Sequence, residues 1–330
     1  MANNTAIKTR DEFIPGSKTF QKIAYYPGCS LKSTAVDLDI SVRKLFNVLG
    51  VTLEEIEDWN CCGTTPAGNV SQEMPNLLSA RNLLLAKRMG YDEILAPCVS
   101  CYLKLLKASA LLNTDAETGQ EYELKKRKEL SGLIKKTGFK EEEKFNFRVY
   151  SIIELLLKNI DLIGHKYQEN KNKIKGIEKE IMQNLKPVCY YGCVMLRTDG
   201  VTKFDDAENP KSMESILESV DIKSQKFSFK TECCGAILSL TYKNIVLKLS
   251  KQIIDAAIEA DANSIIVFCQ LCQQNLDLRQ SQINRYYKTN YSIPVFYISQ
   301  ILGLAMGLSY KDLMIDKLFI EPEISKLAKI

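Results

Sequence analysis

Residues 94–101 read ILAPCVSC and residues 265–272 read IIVFCQLC; in both, a short apolar run delivers the chain into Cys-x-x-Cys. Each run follows a helical pattern, Leu77 to Met89 in the first instance and Ile245 to Ala260 in the second. Strands of roughly 4–8 residues alternating with helical patterns of roughly 10–15 indicate βαβ units and parallel sheets. In such sheets ligands gather at the carboxyl ends of the strands, and Cys98 and Cys269 stand there.

Outward from these two stretches the chain repeats itself. The first half reads IAYYPGCSLK (23–32) and DWNCCGTT (58–65) before its Cys-x-x-Cys; the second reads VCYYGCVMLR (188–197) and KTECCGAI (230–237). The order is the same: aromatic pair, Gly-Cys, Cys-Cys-Gly, Cys-x-x-Cys. Spacings agree as well, with 35 residues between Cys62 and Cys98 and 34 between Cys234 and Cys269. Each half closes on a similar element, VYSI (149–152) leading into Glu154 and VFYI (295–298) leading into Gln300. The expected fold is α/β, two pseudo-repeated Rossmann-like halves with short parallel sheets, spanning roughly 20–165 and 187–315. A charged insertion at 114–147 interrupts the first half, and a charged linker at 166–186 joins the two; both read as solvated helices, with a docking surface for a partner subunit as the functional alternative.

Composition narrows the function classes. The 330 residues carry a net charge of +4 from 44 basic and 40 acidic groups, too balanced to point to nucleic acid or a membrane surface. The first residues, MANNTAIKTRDEF, lack the apolar core of a secretory signal. The best spanning candidate, Val295 to Tyr310, is short and contains Ser299 and Gln300, so no membrane span is expected. The expected compartment is the reducing cytoplasm, where cysteines are metal ligands or redox groups more often than disulfides.

Eleven cysteines and one histidine, His165, are present. Ten cysteines fall into the repeat: Cys29, Cys61, Cys62, Cys98 and Cys101, then Cys193, Cys233, Cys234, Cys269 and Cys272. Iron–sulfur clusters are held by cysteine thiolates, usually four each; five per half permit a bridging ligand or a cluster of unusual shape. Vicinal side chains diverge, so both members of a pair reach one cluster only where the backbone bends, and Gly63 and Gly235 follow the two pairs. Zinc in one half is the competing metal, although structural zinc favours paired Cys-x-x-Cys knuckles. A thioredoxin-like dithiol leaves six of the ten cysteines unexplained. Cys189 stands outside the repeat and reads as a buried inert thiol. His165, beside Gly164 at the end of a helical pattern, reads as a surface residue. The paired tyrosines Tyr25, Tyr26, Tyr190 and Tyr191 read as strand packing, with lining of the cluster cavities as the alternative.

At these residues the chain resembles the B subunit of heterodisulfide reductase (HdrB-like), from about Ile23 to Leu302, with its two CCG cysteine-rich domains. That resemblance implies an oxidoreductase acting on sulfur groups. Each domain would hold one noncubane [4Fe–4S] cluster on the five cysteines of its half, the two clusters facing each other across the domain interface with a disulfide or thiol substrate between them. The chain has no G-x-G-x-x-G fingerprint of its own. Electrons would therefore come from a ferredoxin-type iron–sulfur subunit (HdrC-like) within a complex that includes a flavin-containing subunit (HdrA-like). CCG domains also serve succinate, fumarate, glycolate and lactate oxidoreductase complexes, so electron transfer without a substrate of its own is the alternative function.

Overall fold

The computed structural model describes residues 21–64, 67–71, 73–113, 130–140, 143–197, 202 and 205–322. Residues 1–20, and residues 114–129 of the charged insertion, lie outside the described residues.

Two parallel sheets organise the chain. The first contains β1 (Lys22–Tyr25), β2 (Thr52–Glu55), β3 (Glu93–Leu95) and β4 (Arg148–Tyr150) in the order β2-β1-β3-β4. The second contains β5 (Pro187–Cys189), β6 (Ser264–Val267) and β7 (Val295–Tyr297) in the order β5-β6-β7. All pairings are parallel, as the alternation of strands and helices in sequence requires. The central strands are apolar because helices cover both faces; β6 is buried along its whole length.

The helices that matter for the site are α1 (Val36–Val48), α2 (Met74–Arg88), α3 (Val99–Leu112), α4 (Ile152–Lys158), α5 (Ile160–Asn170), α6 (Gly176–Asn184), α7 (Ser212–Glu218), α8 (Lys243–Glu259), α9 (Gln270–Asp277) and α10 (Ile298–Ala305). In α1 the buried residues Leu38, Val42, Leu45 and Phe46 recur at helical spacing and make one apolar stripe. That stripe does not stay within its own half. It packs on α10, the closing helix of the other half, while α7 packs on α4 in the reciprocal arrangement. The Ser41 and Ser299 hydroxyls meet at 2.7 Å in the α1–α10 contact, both fully buried.

The halves differ at one edge. β2 has no equivalent strand among the described residues of the second half; the segment that follows α7 meets β5 without a strand ladder, Gln225 N–H bonding the Pro187 carbonyl at 2.7 Å. β2 alternates exposed and half-buried residues, an edge strand's pattern.

The two charged stretches are not simply solvated helices. Residues 130–136 are helical and bury Leu130 and Ile134, and Phe139, Phe145 and Phe147 form an aromatic cluster with centroids 5.5–5.6 Å apart. These apolar residues lie among the lysines and glutamates at intervals that a charge-dominated reading passes over. The linker is helical in α5 and α6, but Ile181 of α6 is fully buried, and α6 packs on α10. Among the described residues no helix is long and apolar enough to cross a membrane.

Candidate metal centres

Each half gathers its five thiols at the carboxyl ends of its strands. Cys98 is the N-cap of α3 and Cys269 the N-cap of α9, so each Cys-x-x-Cys opens a helix where free amides and the helix dipole favour anionic sulfur. Cys29 follows β1 and Cys193 follows β5 by the same four positions.

The thiols touch in chains. In the first half Cys61 and Cys29 sulfurs lie 3.9 Å apart and Cys62 and Cys101 sulfurs 3.4 Å apart; in the second, Cys234 and Cys272 are 3.6 Å apart. Burial follows the repeat: the second cysteine of each vicinal pair and the last of each Cys-x-x-Cys are buried, while Cys29 and Cys61 are exposed and Cys193 and Cys233 half-buried. Each ring thus has a dry inner side and an outer side facing solvent.

Backbone geometry makes the rings possible. Gly28 and Gly192 both have φ of +69°, and a Cβ would lie 2.8 Å from the Cys101 sulfur in the first case and 3.0 Å from the Cys272 sulfur in the second. Only glycine brings the backbone this near the sulfur without strain. After each vicinal pair the glycine amide turns back on the first thiol: Gly63 N–H to Cys61 at 3.5 Å, Gly235 N–H to Cys233 at 3.3 Å.

Side chains pin these turns from behind. Tyr26 donates to the carbonyl of Asn60 at 2.8 Å, and Tyr190 to that of Glu232 at 2.7 Å, in each case the residue just before the vicinal pair. Buried Asn82 bonds both the N–H and the C=O of Asn60 at 2.9 Å. Asn275 donates to the Cys234 carbonyl at 3.0 Å.

The thiols do not ionise alike. Hydrogen bonding with Cys101 and then with Thr64 outweighs burial and lowers Cys62 to about 6. Hydrogen bonding with Cys272 likewise lowers Cys234 to about 7. Cys101 and Cys272, which share their protons with two neighbours each, are held well above the ordinary range by those bonds and by burial. Burial, with the charge of neighbouring thiols, lifts Cys61 to about 11 and Cys193 to about 12.

The donor set suits a polynuclear cluster. Five sulfurs, glycine cradles shaped to them and amide N–H groups aimed at them are present in both halves. Among the described residues no three His, Cys, Asp or Glu groups are arranged around one point to hold a single ion.

Cys189 lies apart, at the end of β5, fully buried, its thiol pushed up by burial. It takes the position of Tyr25, so that Tyr26 corresponds to Tyr190; their backbone N–H groups bond the equivalent carbonyls of Leu95 and Ile266. Tyr25 instead bonds Asp39 of α1 at 2.6 Å, and Tyr191 bonds Glu214 of α7. His165 is exposed on α5, 3.4 Å from Glu169. Sequence reasoning missed Gln270, Thr64 and Asn82. Only Gln270, inside a Cys-x-x-Cys, carried any signal.

The two rings are neighbours across the interface between halves. Gln270, the residue after Cys269, donates from Nε2 to the Cys98 sulfur at 2.8 Å, and Gln274 on the same helix donates to the Thr34 carbonyl at 2.9 Å.

Comparison with known proteins agrees with this geometry. The CCG cysteine-rich domain model matches twice, at residues 23–106 and 188–277. The chain is 31% identical to the 8-methylmenaquinol:fumarate reductase membrane anchor subunit of Wolinella succinogenes, over 89% of this chain and 95% of that one. It is 27% identical to the B subunit of the ferredoxin/F(420)H(2)-dependent CoB-CoM heterodisulfide reductase of Methanosarcina acetivorans, over 94% and 97%. A protein of Archaeoglobus profundus that is like the heterodisulfide reductase B subunit is 27% identical over 87% and 91%. In fold the chain is similar to a crystal structure of a hypothetical protein from Helicobacter pylori, with a TM-score of 0.61 and 15% identity; the match covers 92% of this chain and 53% of that one.

Proposed function

The chain belongs to the CCG cysteine-rich family, and from that premise we propose that it is the two-centre iron–sulfur subunit of a multi-subunit oxidoreductase, with one noncubane [4Fe–4S] cluster in each half. The observation that carries this reading is the set of five thiols gathered at the strand ends of each half. Cys29, Cys61, Cys62, Cys98 and Cys101 would hold one cluster; Cys193, Cys233, Cys234, Cys269 and Cys272 would hold the other. A cluster supplies one-electron transfer when bound. The chain's own part is to present thiolates from helix N-termini, hold the vicinal turns rigid through Tyr26, Asn82, Tyr190 and Asn275, and keep the inner sulfurs dry. Residues 20–165 and 187–315 act as the two domains, with 166–186 between them.

Two chemistries fit. Cleaving a disulfide takes two electrons and two protons, and two one-electron centres adjoining one interface match that demand. This supports a catalytic role of the heterodisulfide reductase type, reducing a disulfide or oxidising thiols in reverse. The second reading is electron relay without a substrate, in a fumarate reductase-type complex. Two observations favour it: the 31% identity to the Wolinella subunit over nearly its whole length, and the buried Gln270 side chain, which spans from the residue after Cys269 to Cys98. Either reading calls for two partner subunits on the cytoplasmic side, one a ferredoxin-type iron–sulfur protein and the other flavin-containing.

Anaerobic purification tests both readings. The protein should contain about eight irons per chain by cluster arithmetic; zinc with negligible iron would sink the two-cluster reading. Adding the two thiols of a CoB-CoM type heterodisulfide to the oxidised protein then separates the chemistries. A new paramagnetic signal supports the disulfide chemistry. An unchanged spectrum in a protein that low-potential donors still reduce supports relay.

A further inference from the structure

Gln270 is the residue through which one half reaches a candidate ligand of the other. It is 2% exposed, sits in the first turn of α9 directly after Cys269, and sends its side chain across the interface to Cys98. The other end of the same amide, Oε1, is buried and has no hydrogen-bond partner among the described residues. An unpaired buried carbonyl is costly, so the amide is held for its N–H end. Turned over, it would set its oxygen against an anionic sulfur. The equivalent position in the first half is Val99, also buried, which has no side-chain donor to return toward Cys269. The link therefore runs one way.

We propose that Gln270 is a positioning residue that couples the two centres: from the second half it donates an N–H···S hydrogen bond to Cys98 and so holds the first-half centre at a higher reduction potential. The proposal rests on the two-cluster reading above. An N–H donor withdraws charge from a ligating thiolate. The reduced state of a centre carries the greater negative charge and gains more from that donor than the oxidised state does. Hydrogen bonds to sulfur are among the terms that set cluster potentials, and groups behind the ligands tune the metal. The first centre would thus respond to any movement of α9, the helix that also carries Cys272.

The test uses the anaerobically purified full chain. Iron is measured first in the wild type; absence of iron would overturn the two-cluster reading and this proposal with it. With both centres loaded, EPR-monitored redox titration should show one midpoint potential lower in Gln270→Met than in the wild type and the other unmoved. Two unmoved potentials, or two that shift together, would overturn the role of Gln270 and leave the two-cluster reading standing. Should Gln270→Met lose its iron, a variant-free measurement decides. Wild-type protein carrying glutamine labelled with ¹⁵N at the side-chain amide alone should show ¹⁵N coupling to one centre by pulsed EPR. No coupling to either centre would overturn the proposal.

Discussion

The hydroxyl of Tyr190 bonds the carbonyl of Glu232, and Tyr26 does the same to Asn60. Each tyrosine thus reaches from the end of its half's first strand to the residue before a vicinal cysteine pair, 42 positions on in one case and 34 in the other. A vicinal pair can present both sulfurs to one centre only if its backbone stays bent. The tyrosine fastens that bend to the sheet.

Tyr190→Phe removes the bond and leaves the ring in place. The expected cost is about 1 kcal/mol of stability, the ordinary worth of such a bond. The sharper effect is local: chelators should strip iron from the second centre faster than in the wild type, with the first centre unaffected. Tyr26→Phe should be milder, because Asn82 still bonds the Asn60 carbonyl at 2.9 Å. Chelation time courses on both variants would show the order; equal rates would contradict it.

The cysteines separate into ten and one. Cys62→Ser should cut iron to about half of the wild-type content, since one centre of two is lost. Cys234→Ser should do the same from the other half. Cys189→Ser should keep full iron, because this thiol ends β5 at the Tyr25 position, inside the sheet and away from the ring. Metal analysis of the three variants is decisive; iron loss in Cys189→Ser would mean the eleventh thiol is a ligand.

Much of this was legible in sequence because it was local. Apolar runs before Cys98 and Cys269 become β3 and β6, and the patterns ahead of them become α2 and α8. Less legible was whatever depended on distant partners. The apolar stripe of α1 shows that something covers it, but not that the cover is α10 from the other half. β2 is too exposed on its edge to announce itself by periodicity. That Tyr26 and Tyr190 do the same work shows only in their bonds to residues 34 and 42 positions away. Gln270 looked like filler between two cysteines, since its partner is 172 residues away.

The exchange of helices makes the halves interdependent. The Ser41 and Ser299 hydroxyls share a hydrogen bond at 2.7 Å, and Ser41 also lies 3.2 Å from the Leu38 carbonyl. A double-mutant cycle with Ser41→Ala and Ser299→Ala should give a coupling of about 1 kcal/mol by chemical denaturation. Residues 187–315 produced alone would expose α10, buried along its whole length in the intact chain, and should aggregate. A soluble, monomeric fragment would refute that dependence.

Asp277 gives a pH dependence separate from the thiols. Its carboxylate ends α9, 1% exposed, and accepts N–H bonds from Phe319 at 2.8 Å and Ile320 at 3.0 Å and a side-chain bond from Gln273 at 3.1 Å. Burial, aided by the charge of Asp37, outweighs those bonds and raises it from 3.8 to about 6. The folded state therefore binds this proton more tightly than the unfolded state. Stability from the group is fully present below pH 3.8, declines as pH rises, and is gone above pH 6, a swing on the order of 3 kcal/mol. Asp277→Asn removes the titration. Denaturant midpoints of wild type and variant measured between pH 4 and pH 6 should diverge with pH, the wild type losing stability relative to the variant as pH rises. Parallel curves would mean that the three donors stabilise the charged form enough to cancel the cost of burial.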